Sequence, residues 1–376
     1  MTTVGGVTLS PPFGLAPMAG LTDSAFRRLV KRLGGCGLVV TEMVSAEGLV
    51  RGQDRTLEYA EYAGEERPVA IQIFGGDPER MAAAARIVEH IGADMVDVNM
   101  GCPVPKVAKG NAGCRLMREP ARAAAIVGAM ARAVRIPVTV KMRTGWDDNE
   151  IIAPDFAKRM EEAGAAAVTV HGRTGTQAYR GLSDWDVIAR VAQNVTIPVF
   201  GNGDCLEPDH VVSRWRETGV AGVLVGRGVV RNPWLLAQAA DVAAGLPARV
   251  VTGADRARFL LEYIDLLLGE RAAEPEGFRH EAPQTAHEPG SGSGDRHATR
   301  LRATANARNR ERWVLNKLRA LVAWYTWGFE GGSRFRAAVN QAASIQQVRD
   351  SLEKFFHESS NTVLIARGTP DADLRV

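Results

Sequence analysis

The sequence predicts an α/β chain, a (β/α)8 TIM barrel followed by a small C-terminal helical bundle. Three observations predict it. Eight short β-branched runs recur along about 230 residues, close to the roughly 250 typical of such a barrel. Ala-, Arg- and Glu-rich segments with helical spacing separate them, so strand and helix alternate and the strands should run parallel with right-handed crossovers. Polar residues close nearly every strand. A doubly wound sheet is the alternative, and it fits less well because Leu15-Ala16-Pro17-Met18 is not followed by a G-x-G-x-x-G turn.

Taken in order, the strands are expected at Leu15–Met18, Leu38–Glu42, Val69–Phe74, Met95–Asn99, Val138–Arg143, Val168–His171, Val199–Asn202 and Gly222–Gly226. Helical spacing is expected at Glu79–Ile91, Ala121–Val134, Pro154–Ala163 and Asp184–Ala192. From Asp255 the pattern is helical only, with helices expected at Ala257–Gly269, Glu311–Trp327, Ser333–Ala343 and Gln346–Phe356, enough for a small bundle. Glu270–Thr299, carrying E-P-E-G, E-A-P-Q and E-P-G-S-G-S-G, lacks periodicity and reads as a disordered insertion. The expected domains are a barrel over 1–250 and a helical domain over 251–356. A tail, 357–376, has no evident role.

A chain of 376 residues with 45% apolar content can bury a large core. Its four cysteines, Cys36, Cys102, Cys114 and Cys205, form no CxxC pair or metal-ligand spacing, and no metal is expected. No leader-like segment and no apolar run of bilayer length occur, so reduced thiols, a cytoplasmic location and no membrane partner are expected. The net charge of +3 decides little. Its distribution says more: Arg296 to Arg319 holds eight Lys or Arg against Glu311 alone, a surface suited to phosphates.

In a barrel the carboxyl ends of the strands face one shared mouth. Met18, Glu42, Gln72, Asn99, Lys141, Arg143, His171, Asn202 and Gly226 should therefore surround it. Each alone is ordinary; together they point to chemistry. The last two loops, Gly201-Asn202-Gly203-Asp204 and Gly226-Arg227-Gly228, offer backbone amides and a fixed charge where barrels hold phosphate, which implies a phosphorylated cofactor. Cys102 follows the strand end at Asn99 directly. Pro103 and Pro105 disfavour helix around it, so Cys102–Gly113 is expected to be a long irregular loop, and structureless loops of that length are uncommon unless they function. A lone cysteine is more often inert packing, which suits Cys36 and Cys205, but that loop marks Cys102 as reactive.

These residues fall into motifs. P-M-A-G-L-T-D (Pro17–Asp23), T-E-M (Thr41–Met43), Q-I-F-G (Gln72–Gly75), N-M-G-C-P (Asn99–Pro103), K-M-R-T-G-W (Lys141–Trp146), H-G-R-T (His171–Thr174), N-G-D (Asn202–Asp204) and G-R (Gly226–Arg227) resemble the bacterial tRNA-dihydrouridine synthases, in the order and spacing of the DusB-type subfamily. The resemblance runs from Leu15 to about Trp234 and resumes over Trp313–Phe356. It implies an FMN-binding TIM barrel and a helical tRNA-binding domain.

Carried onto this sequence, the resemblance places FMN against Pro17, Met18, Ala19, Gln72, Lys141, His171, Asn202, Gly203, Asp204, Gly226 and Arg227. The residue types suit the task. Reduced flavin is negative near N1 and C2, and a cation about 4 Å away contributes roughly 4 kcal/mol at an effective dielectric near 20. Lys141 would supply that cation, Gln72 would donate to and accept from the pyrimidine edge, and Arg227 would neutralise the phosphate. The implied reaction reduces the uridine C5–C6 double bond, with hydride from flavin N5 to C6 and a proton from Cys102 to C5. An ordinary thiol, pKa near 8.5, is already protonated at pH 7, so this role needs no depressed pKa. Cys114 is the competing thiol and reads as packing.

Asn99, Arg143 and Tyr179 match positions near the uracil. NADPH would reduce the flavin first and leave before tRNA enters the same mouth; no separate nicotinamide domain and no obligate protein partner are evident. In the basic stretch Arg308, Arg310, Arg312 and Arg319 are the candidate tRNA contacts, while Trp313, Trp324, Tyr325 and Trp327 are expected to form the bundle core. Two other classes fit part of the sequence. A flavin barrel acting on a free small molecule would leave the basic helical domain unused, and a non-catalytic RNA-binding protein would not need Lys141 and Cys102 at strand ends.

Overall fold

The structure, a computed structural model, describes residues 1–108, 110–269, 296–327 and 329–358. The described residues divide into two compact units, one over 1–250 and one from 251 to 358.

The first unit opens with a hairpin the strand search did not anticipate, β1 (Thr2–Val4) and β2 (Val7–Leu9), paired antiparallel across Gly5 and Gly6. Both glycines have positive φ, the backbone that a two-residue hairpin turn requires. The barrel follows: β3 (Phe13–Leu15), β4 (Leu38–Val40), β5 (Val44–Ser45), β6 (Val69–Phe74), β7 (Met95–Met100), β8 (Val138–Arg143), β9 (Ala167–His171), β10 (Val199–Asn202) and β11 (Gly222–Val225). All pair parallel, and β11 returns to β3 to close the ring. Both β4 and β5 pair with β6, so they are halves of one interrupted strand, and Glu42 lies in the break. The first strand ends at Leu15 rather than Met18, which leaves Pro17 and Met18 in the loop beyond it.

Strand residues alternate. Val96, Val98 and Met100 of β7 and Val140 and Met142 of β8 are fully buried on the helix side, while Met95, Asp97 and Thr139 line the interior. At the amino-terminal end the interior is apolar: Leu38, Ala70, Met95, Ala167, Phe200 and Leu224 pack against Val4 and Leu9 of the hairpin, which plugs that end. Polar residues occupy the other end. Register there brings the site together, setting Asn99 opposite Lys141, Arg143 opposite His171, and His171 opposite Asn202.

The surrounding helices match the expected segments within a few residues. Pro78–Ile91 starts on Asp77, which accepts from the Arg80 amide at 2.8 Å, and stops at Gly92 in the left-handed region. Behind the first loop lies a buried ion pair: Arg27 Nε donates to Glu66 at 2.5 Å, and its other nitrogens reach the carbonyls of Thr22 and Glu61 at 2.9 Å.

In the second unit Gly253–Gly269, Arg296–Tyr325, Gly332–Gln341 and Ile345–Glu358 form the helices. Arg296–Thr299 thus begin a helix instead of ending the insertion, and the rest of the insertion, residues 270–295, and the tail from 359 lie outside the described residues. Tyr325 is the centre of this core, stacked on Phe259 at 5.8 Å and edge-on to Phe356 at 6.3 Å. Trp313 departs from the expected core and is 44% exposed, because it sits on the outer face of its helix. Among the described residues, no helix is long and apolar enough to cross a membrane.

Candidate active site

Cys102 leaves β7 at the carboxyl end of the barrel, and its position is set by Asn99. Oδ1 of Asn99 accepts the amide of Cys102 at 3.0 Å and of Gly101 at 3.3 Å. Asn99 Nδ2 donates to Gln72 Oε1 at 2.8 Å, and Gln72 Nε2 donates to Asp97 Oδ2 at 2.7 Å. The loop beyond is less irregular than expected, since Pro105–Ala108 make one helical turn with proline at its first position, where the missing amide costs nothing. The loop closes where the Cys114 amide donates to the carbonyl of Cys102 at 3.0 Å. Gly113 makes that closure: at φ +63° a Cβ there would lie 2.6 Å from the Cys102 oxygen. Burial raises the Cys102 thiol pKa, so it is protonated at neutral pH. Cys114, 1% exposed, is pushed up to about 11 by the same cause.

Lys141 is the interior cation. Its Nζ donates to Asn202 Oδ1 at 3.2 Å, and Asn202 in turn donates to the Leu224 carbonyl at 2.7 Å. Burial, then Arg143 nearby, lowers Lys141 to about 8, with Asp97 opposing. Arg143 is tied to backbone, reaching the carbonyls of Gly101 at 2.7 Å, Thr174 at 2.8 Å and Ala178 at 2.9 Å. It therefore braces the Cys102 loop against the loop after β9. His171 is buried among these cations, and burial followed by Arg143 and Lys141 keeps its pKa well below the usual histidine value; the ring is neutral.

The third cluster lies at the ends of β10 and β11. Asp204 accepts from Arg173 at 2.9 Å, from Arg227 at 3.0 Å and from the Ser183 amide at 2.7 Å. Burial works against its charge, but these partners outweigh it and hold the carboxylate below its ordinary pKa. Gly203, at φ +138°, has no room for a side chain, since a Cβ would meet Ser183 Oγ at 2.1 Å. A Cβ on Gly226 would strike Met18 Sδ at 2.9 Å, which keeps the backbone of the two loops bare beside Arg227. Bare amides and one arginine could hold a phosphate, and an interior lysine could face the electron-rich edge of a bound ring.

The profile described as dihydrouridine synthase matches residues 14–288. A probable tRNA-dihydrouridine synthase of Rickettsia conorii is 34% identical over 361 residues, 95% of this chain and 96% of that protein. The tRNA-dihydrouridine synthase B of Xanthomonas campestris pv. campestris is 40% identical over 283 residues, 73% of this chain and 83% of that protein. This chain belongs to the dihydrouridine synthase family.

Several of the residues carried over from the family sit differently from their expected roles. Both ends of the Gln72 amide are already engaged, by Asp97 and Asn99, so what it offers a ligand is its second N–H and second lone pair. Ala19 is exposed, and Gly20 beside it donates to Glu42 Oε2 at 2.6 Å, which pins the first loop over the mouth. Tyr179 is 45% exposed, with Arg143 and Arg227 each against its ring at 5.9 and 5.2 Å, so it lies between the arginine that braces the Cys102 loop and the one that follows β11.

The basic helix divides. Arg310 donates to the Leu267 carbonyl at 2.9 Å, and Arg319 reaches the carbonyls of Val339 and Ala342 at 3.5 and 3.0 Å, closing the end of Gly332–Gln341. Arg312 is exposed, and the Lys317 ammonium lies 5.7 Å from the ring of Trp313, the sequence neighbour of Arg312. The side chain of Arg308 lies outside the described residues.

Sequence reasoning missed Asp97 and Arg173. Asp97 carries a signal, being two residues before Asn99 on the same strand face; Arg173 stands inside the H-G-R-T motif, but only the fold brings it to Asp204. Among the described residues, no group of three or more His, Cys, Asp or Glu is arranged to hold a metal ion.

Proposed function

We propose that this protein is a tRNA-dihydrouridine synthase that uses FMN and NADPH to reduce the C5–C6 double bond of uridine in tRNA. The observation that carries the proposal is the placement of a protonated thiol, Cys102, on an Asn99-held loop at the same mouth as a buried cation, Lys141. FMN, when bound, supplies hydride to C6 of uridine. Cys102 Sγ delivers the proton to C5 and regains one from solvent.

Lys141 and Arg227 would hold the ring edge and the phosphate, with the amides around Gly203 and Gly226 and the side chains of Asn202 and His171 completing the cradle. Asn99 and Arg143 would meet the uracil, and Tyr179 would cover the opening. The neutral His171 can donate one hydrogen bond without adding a third charge to Lys141 and Arg143. Arg312 would be one phosphate contact of the helical unit.

The decisive experiment supplies NADPH and unmodified tRNA to the purified protein and maps dihydrouridine. Reduction of specific uridines supports the proposal. Turnover of free uracil or uridine with tRNA left unchanged would reassign the barrel to a small-molecule reductase.

A further inference from the structure

β7 reads M-V-D-V-N-M, and its inward residues pass from the apolar plug at Met95 to the mouth at Asn99. Asp97 lies between them, 4% exposed. A buried carboxylate is costly unless its oxygens are satisfied. Both are: Oδ1 accepts from Thr139 Oγ1 at 2.6 Å and Oδ2 from Gln72 Nε2 at 2.7 Å. Neither proton delivery nor phosphate binding uses it.

Burial raises the Asp97 pKa, opposed by the bonds from Gln72 and Thr139 and by the charge of Lys141; ionised between those donors it only accepts, and this dictates the direction of each bond above it. Gln72 must turn its NH2 toward Asp97, which leaves Oε1 for Asn99 Nδ2 at 2.8 Å. Asn99 then has its oxygen to give, and that oxygen takes the amide of Cys102. Reversing either amide would set donor against donor.

We propose that Asp97 is a positioning residue for the reduction: through Gln72 and Asn99 it fixes the peptide that carries the Cys102 thiol. The proposal rests on Cys102 being the proton donor. Asp97→Ala removes the acceptor at the foot of the chain, frees both amides to turn over and releases the Cys102 peptide. Asp97→Asn still offers an oxygen to Gln72 and can donate to the Thr139 hydroxyl, so it should preserve the direction of the chain.

The test compares Asp97→Ala, Asn99→Ala, the double variant and Asp97→Asn as purified full-length proteins, by two readouts. One is the rate at which iodoacetamide labels Cys102, followed on its peptide; the other is single-turnover oxidation of pre-reduced enzyme by tRNA. Asp97→Ala should label several-fold faster and lose on the order of 10²-fold in the single turnover, the scale of a displaced catalytic group. The double variant should match Asn99→Ala alone, because residues acting in one chain are not additive, and Asp97→Asn should stay near wild type. Additive losses in the double variant, a wild-type labelling rate in Asp97→Ala, or an Asp97→Asn as impaired as Asp97→Ala would overturn the proposal. Asp97→Leu replaces the alanine variant if that one does not accumulate folded. Labelling requires no tRNA, so a wild type inactive on tRNA would overturn the functional reading alone.

Discussion

Lys141 Nζ donates to Asn202 Oδ1 across 3.2 Å, joining the end of β8 to the end of β10 over the neutral His171 between them. The ammonium is thereby aimed at the centre of the mouth, and the acceptor that holds it is a neutral amide. A cation held this way in a low-dielectric interior is poised for an anionic ligand and titrates unusually low.

The first prediction follows from that pKa. The purified protein should be yellow, and its FMN affinity should fall as pH rises through about 8, where Lys141 loses its charge. Without ligand the sign reverses: between about 8 and the ordinary 10.5 the unfolded chain binds more protons, so this residue's contribution to stability rises across that window. Lys141→Ala should bind FMN more weakly and lose the dependence near 8. Flavin fluorescence titrations at stepped pH check it, and an unchanged profile in Lys141→Ala would assign the titration elsewhere.

The second prediction concerns Arg27 and Glu66, a pair almost fully buried behind the loop that carries Pro17 and Met18. Arg27→Met leaves Glu66 without its cation, and breaking such a pair costs about 3–5 kcal/mol. Urea unfolding should show that loss of stability, with Arg28→Met, whose partner Glu65 is partly exposed, as a mild control. Equal midpoints for the two variants would contradict the assignment.

Much of this fold is legible in the residues. The β-branched runs with polar ends locate the barrel, and Asn99, Lys141, Arg143, His171 and Asn202 stand at strand ends because the mouth needs polar groups there. The hairpin at Thr2–Leu9 is harder. Gly5-Gly6 is a turn signal, but three-residue strands are stabilised by the barrel floor they plug, which no local pattern reveals. Pairs distant in sequence were equally hidden: Asp204 with Arg173, Arg27 with Glu66, and the use of Arg310 and Arg319 on helix carbonyls. A basic stretch shows the sign of a surface and not which of its arginines are already committed.

The third prediction uses that division. Arg312→Ala should weaken tRNA binding and flatten its salt dependence, by about 0.7–0.9 in log–log slope if one phosphate contact is lost. Arg319→Ala should instead lower the stability of the helical unit, because it uncaps the carbonyls of Val339 and Ala342. Filter binding across a salt series and thermal unfolding separate the two effects. A salt slope unaltered by Arg312→Ala would move the RNA surface to other residues.

The last prediction separates the two thiols of the closed loop. Cys102 is partly exposed at the mouth, while Cys114 is buried. If Cys102 gives the proton to C5, Cys102→Ala should keep FMN and its reduction by NADPH, since neither uses that proton. It should lose uridine reduction by about 10²–10⁴-fold, the usual worth of a general acid. Cys114→Ala should stay nearly as active, because its backbone amide still closes the loop on the Cys102 carbonyl. Because burial raises the Cys102 pKa, the wild-type rate should hold through neutral pH and decline only on the alkaline side, as the thiol deprotonates. Single-turnover oxidation of pre-reduced enzyme by unmodified tRNA isolates this step from NADPH binding and product release. Full activity in Cys102→Ala, or a loss confined to Cys114→Ala, would mean that the proton comes from another group.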